Sequence, residues 1–144
     1  MYAFEPNDEQ KMLIDTISRY ATGNLRPAAH DAEEAHALPG ALVEKGWELG
    51  VLQASTPEDY GGFGDYSALT GVLAAEELAW GDLAGALAVM QPGLFAIPIL
   101  LAGSEAQKQE YLPAVVEAEW KPFTAAFIEP QFDFDIYDLK TTAV

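Results

Sequence analysis

The chain has 144 residues, half of them hydrophobic, with 23 acidic and seven basic side chains for a formal charge of -16. That is enough apolar sequence for one packed domain, which excludes a disordered tail. The acid excess, with no Lys or Arg between Gly46 and Gln107, argues against a face built for nucleic-acid phosphates or an anionic membrane.

Met1-Tyr2-Ala3-Phe4-Glu5-Pro6 lacks the basic and apolar regions of a secretory signal. Asn7, with Gln10 at the third helical position, starts a first helix whose core stripe is Leu13, Ile17, Tyr20 and Ala21. Gly23-Asn24 followed by Arg26-Pro27 predicts its end. Residues 28–37 suit a short exposed helix, which Leu38-Pro39-Gly40 interrupts; a second core helix runs through Leu42, Val43, Trp47 and Leu49 to Gly50. Val51 to Asp65 keeps no helical period, and its glycines and Pro57 are turn chemistry, yet Tyr60 and Phe63 give this loop something to bury.

A third helix is expected from Ser67 to Trp80, with Leu69, Val72, Leu73, Ala79 and Trp80 on its buried side. Asp82 caps a fourth segment, Leu83 to Leu101, which is apolar nearly all round and reads as a central helix. Its two prolines, two glycines and glutamine, with no close basic anchor, argue against a membrane span. Ser104 and Gln107 form a capping box for a fifth helix that Pro113 closes or kinks. Phe123 to Ile128 and Thr141 to Val144 read as short strands, which cannot bury a sheet face by themselves. The expected architecture is an all-α, up-and-down helical bundle over residues 1–121. Residues 122–144 would be the start of an incomplete β domain.

Few residues in this pattern carry chemistry on their own account. The lack of cysteine excludes a disulfide scaffold, a thiol nucleophile and Cys-ligated zinc, and fits a reducing cytoplasm. His30 and His36 stand six apart, on different helical faces, so a solvated acidic helix is preferred to a metal site. Gly61-Gly62-Phe63-Gly64 has no following Lys and meets neither the Walker nor the dinucleotide pattern. Glu76 and Glu77 are about 100° apart on a helix and do not face each other; one of them is either a buried partner for a backbone group or an Arg, or plainly exposed. Asp133, Asp135 and Asp138 lack the Gly and terminal Glu of a calcium loop.

The order of the pieces nevertheless resembles the flavin-dependent acyl-CoA dehydrogenases over essentially the whole chain. Thr56-Pro57-Glu58-Asp59-Tyr60-Gly61-Gly62-Phe63-Gly64 is similar to the family's P-E-x-Y-G-G-x-G loop. Glu76-Glu77-Leu78-Ala79 followed by Asp82 resembles its E-E-L-A helix and turn, and Gly103 to Pro113 resembles its G-x-x-x-Q-K-x-x-Y-L-P segment.

The resemblance implies an N-terminal helical domain, a central β domain and a C-terminal four-helix bundle, of which this chain supplies the first and the opening of the second. It implies FAD as hydride acceptor from the β-carbon of an acyl-CoA, a carboxylate that removes the α-proton, and electron-transferring flavoprotein as the partner that takes the electrons. It also implies a homo-oligomer. The catalytic Glu belongs to the C-terminal bundle, so the chain alone should be inactive. By alignment on Pro98, Ala86, Leu87, Met90 and Leu94 would face the acyl chain, with Met90 the best suited to a pocket wall; bundle core is the competing reading of each.

Phe127, Ile128 and Phe134 fall where the family contacts flavin and ligand, and here the sequence departs from its pattern. Ile128 stands for a Thr that hydrogen-bonds flavin, Phe134 for a Ser that contacts the thioester or CoA, and Asp133 for a glycine. Neither Ile nor Phe can replace a hydroxyl donor. A non-catalytic structural or regulatory homologue is therefore the alternative.

Overall fold

The computed structural model describes residues 5–142, so the readings made on Met1 to Phe4, Ala143 and Val144 lie outside it. Seven α-helices run α1 Asp8–Tyr20, α2 Arg26–Ala35, α3 Gly40–Trp47, α4 Ala68–Gly81, α5 Leu83–Met90, α6 Gly93–Ala102 and α7 Glu105–Val115. Local signals start several of them. The side chain of Asn7 accepts from the amide of Gln10 and the side chain of Gln10 from that of Asn7; Ser104 and Gln107 repeat the exchange at α7. Ser67 and Asp82 cap α4 and α5.

The first helix does not end at Gly23-Asn24. The chain stays helical through a π turn, Ala21–Leu25, and runs directly into α2. Pro27 lacks an amide, and its ring would strike a carbonyl of the preceding turn in a regular helix; one wide turn accommodates it. Asn24 Nδ2 donates to the Tyr20 carbonyl at the start of this turn. Two further elements approach this turn closely. Gly81 lies where any Cβ would be 2.9 Å from that of Ala21, and Gly85 where a Cβ would be 2.7 Å from Leu25 Cδ2. Arg26 covers the end of α4, with its guanidinium 4.4 Å from the Trp80 ring and a hydrogen bond to the Trp80 carbonyl.

The main core is built from Ile17, Tyr20, Leu25, Val43, Ala74, Leu78, Ala86 and Val89, where α1, α3, α4 and α5 meet. Burial pushes the Tyr20 phenol up to about 12, so it remains a neutral donor to the Leu42 carbonyl at 2.6 Å. A smaller cluster of Ala96, Leu112 and Val115 joins α6 to α7, and Phe95 stacks on Phe123 there.

Two expectations of burial change. On α4 the buried residues are Ala74, Leu78 and Gly81, whereas Leu69, Val72, Ala79 and Trp80 are exposed and Leu73 is half-buried. With apolar residues on several sides of that helix, hydrophobicity alone does not identify the packed face. The fourth segment is two helices rather than one, α5 and α6, bent by 43° at Gln91 and Pro92. No single described helix is long and apolar enough to cross a membrane; the bent pair passes such a test only jointly, and by length and composition alone.

No strand forms among the described residues, so Phe123 to Ile128 and Thr141-Thr142 are irregular. A strand requires a paired neighbour, and none of the described segments offers one. Lys140 and Thr141 are held instead by the Glu129 carboxylate, which accepts their amides. Those donors hold its pKa below the usual value.

Candidate functional site

α5 packs against α3 and α4, and beyond the bend α6 packs against α7; residues of α3, α4, α5 and α6 line an open cavity of about 580 Å³. That volume falls within the range of about 300–1,000 Å³ common to small-molecule sites. α3 contributes Gly46 and Trp47, α4 contributes Gly71, Val72 and Ala75, and α5 and α6 contribute Leu87, Met90, Leu94 and Ile97. Ser55 comes from a short 3₁₀ turn, Gln53–Ser55, and Leu52 from the residue just before it. Trp47 is held at the wall by its indole N–H, which donates to the Glu117 carbonyl at 3.0 Å.

The glycine loop positions that turn. Phe63 donates its amide to the Gln53 carbonyl and Gly64 to the Thr56 carbonyl, folding the loop back on itself. Any Cβ at Gly62 would lie 1.9 Å from the Thr56 carbonyl oxygen, and one at Gly64 would lie 2.1 Å from that of Ala54. The glycines are thus needed for backbone approach. At the loop's far side, the Tyr60 hydroxyl donates to Glu105 Oε1 at 2.8 Å and ties the loop to the first turn of α7; that hydrogen bond is the main cause of a raised phenol pKa.

Of the four residues expected to face an acyl chain, Leu87, Met90 and Leu94 line the cavity together. Ala86 does not. It is 4% exposed and packs in the main core, because successive helical residues point about 100° apart. Residues that the sequence did not point to as site residues complete the wall, notably Trp47 and Val72, which were expected in the core, and Gly71. A glycine inside a helix was the visible signal for one of them. On the other face of α6, a second open depression of about 490 Å³ lies among Phe95, Pro98, Ile99 and Tyr111.

Phe127 and Ile128 lie on the irregular segment after α7 with exposed side chains, Ile128 at 80%, and Phe134 is half-buried. None of the three offers a hydrogen-bonding side chain. His30 and His36 are exposed, and no group of three His, Cys, Asp or Glu among the described residues is arranged to hold a metal. Neither Glu76 nor Glu77 is buried.

Residues 7–119 match the sequence pattern described as the acyl-CoA dehydrogenase N-terminal domain. The chain belongs to the acyl-CoA dehydrogenase family. It is 34% identical over 139 residues to (2S)-methylsuccinyl-CoA dehydrogenase of Cereibacter sphaeroides, covering 96% of this chain and 25% of that protein. It is 30% identical to cyclohex-1-ene-1-carbonyl-CoA dehydrogenase of Syntrophus aciditrophicus, covering 97% of this chain and 34% of that one. The structure of butyryl-CoA dehydrogenase from Megasphaera elsdenii superposes with a TM-score of 0.71 at 30% identity, over 81% of this chain and 31% of the other. The chain therefore spans about a quarter to a third of the length of such relatives. Its helices are the helical N-terminal domain of the family.

Proposed function

We propose that residues 1–121 form the helical domain of a flavin-dependent acyl-CoA dehydrogenase and residues 122–144 the opening of its middle β domain. In this reading the cavity between α3, α4, α5 and α6 receives the hydrocarbon part of the acyl-CoA. The observation that carries it is the convergence of Leu87, Met90 and Leu94 on one apolar cavity within a domain of this family. These side chains desolvate and orient the acyl group, while proton abstraction falls to a carboxylate outside this chain. Bound FAD would supply the hydride acceptor, and electron-transferring flavoprotein would take the electrons from a homo-oligomeric enzyme. Phe127, Ile128 and Phe134 carry no hydrogen-bonding side chain, and no catalytic step is assigned to them.

The longest natural form of the polypeptide is expected to be yellow and to oxidise an acyl-CoA with an artificial electron acceptor. The 144-residue chain alone is expected to be colourless and inactive. Ile128, Asp133 and Phe134 favour a second reading, a non-catalytic homologue that keeps the bundle as a structural or regulatory subunit. Absence of flavin absorbance and of turnover across an acyl-CoA panel would support that reading against the first.

A further inference from the structure

Three glycines line the cavity, and they stand there for different reasons. At Gly46 a Cβ would lie 2.5 Å from Val89 Cγ2 and 2.9 Å from the Tyr20 hydroxyl, so the crossing of α3 over the core requires it. Gly93 opens α6, where a Cβ would make ordinary contact with Ile97 and Leu52. Gly71 differs from both. It lies inside α4, its amide donates to the Ser67 carbonyl, its φ is not positive, and a Cβ there would meet nothing within 4 Å.

Glycine is the least favourable helix residue after proline, because it loses the most backbone freedom on folding. At Gly71 no turn and no close neighbour offsets that cost. What its missing side chain does leave is space in the cavity, bordered by Val72, Ala75, Leu87, Met90, Leu94 and Ile97.

We propose that Gly71 is a specificity-determining residue, whose missing side chain keeps this cavity open for the uncharged hydrocarbon part of a ligand. The wall is almost wholly carbon, and the polar side chains that reach it, Ser55, Tyr66 and Ser67, are neutral hydroxyls. A carboxylate carried into this space would lose its water without gaining a cation, whereas an alkyl chain or alicyclic ring loses nothing. The inference rests on the acyl-binding reading above only for the name of the ligand.

The test uses the 144-residue chain, 1-decanol as the neutral probe and decanedioate as its charged counterpart, with thermal unfolding and titration calorimetry as readouts. Wild type is expected to bind decanol and gain thermal stability from it, and to ignore decanedioate. Gly71→Leu is expected to raise the midpoint of the unliganded chain, through better helix propensity and a filled cavity, while weakening decanol binding about tenfold or more. Gly71→Ala is expected to raise the midpoint and retain binding, which separates propensity from filling.

Unchanged decanol affinity in Gly71→Leu would overturn the proposal. So would a lowered midpoint in both variants, no decanol binding by wild type, or equal binding of decanedioate. In the longest natural form, turnover with a KM unmoved by Gly71→Leu would remove this inference and leave the enzymatic reading intact. A colourless, inactive natural form would remove that reading, while the decanol result would stand.

Discussion

Leu78→Ala is expected to destabilise the chain by about 2–5 kcal/mol, measured by urea denaturation of the purified protein. Leu78 is fully buried, and it belongs to the cluster where α4 meets α1 and α5. Removing its branched end deletes contacts on several sides at once, and the tight approaches of Gly81 to Ala21 and of Gly85 to Leu25 leave little freedom to collapse around the hole. Leu69→Ala, on an exposed position of the same helix, is the control and should change stability by no more than about 0.5 kcal/mol. Equal effects of the two would mean that α4 packs as firmly on the side expected from Leu69, Val72 and Leu73 as on the one described.

The second large effect is expected at the glycine loop. Gly62→Ala puts a methyl group against the Thr56 carbonyl, with backbone and not a flexible side chain as the obstacle. Overpacking of this kind costs about 1–3 kcal/mol, and the same change at Gly64 meets the Ala54 carbonyl in the same way. Gly62→Ala must therefore displace the loop, and with it Leu52 and Ser55 on the cavity wall. The expected result is lowered stability together with weaker binding of an apolar probe. A stable Gly62→Ala protein with unaltered binding would show that the loop does not hold the wall. Gly62→Ala and Gly71→Leu thus have opposite expected effects on stability and the same effect on binding.

The features legible in the sequence were those decided by neighbours along the chain. Asn7 with Gln10 and Ser104 with Gln107 are reciprocal caps three residues apart, and they form as read. Gly50 adopts a left-handed φ of 71° soon after α3 ends, as its position suggested. The π turn was not legible, because Gly23-Asn24 and Pro27 give the ordinary signals of a helix end, while Gly81 and Gly85 approach from distant parts of the chain.

In α4, α5 and α6 the sequence is too uniformly apolar for periodicity to separate core from cavity. Ala86 accordingly went to the core, while its neighbour Leu87 reached the cavity wall. Phe123 to Ile128 and Thr141-Thr142, without partners in a sheet, form no strand. Composition alone could not announce that; pairing is a property of neighbours in space.

In the proposed function the cavity between α3, α4, α5 and α6 holds the hydrocarbon part of an acyl-CoA. An acyl-CoA bearing a diazirine at the far end of its acyl chain, photolysed on the longest natural form of the polypeptide and mapped by peptide mass spectrometry, tests it most directly. Cross-links on Gly71, Val72, Leu87, Met90 or Leu94, suppressed by excess unlabelled acyl-CoA, are the predicted result. Suppressible cross-links confined to Phe95, Ile99 and Tyr111 on the other face of α6, or lying entirely outside this chain, would contradict it.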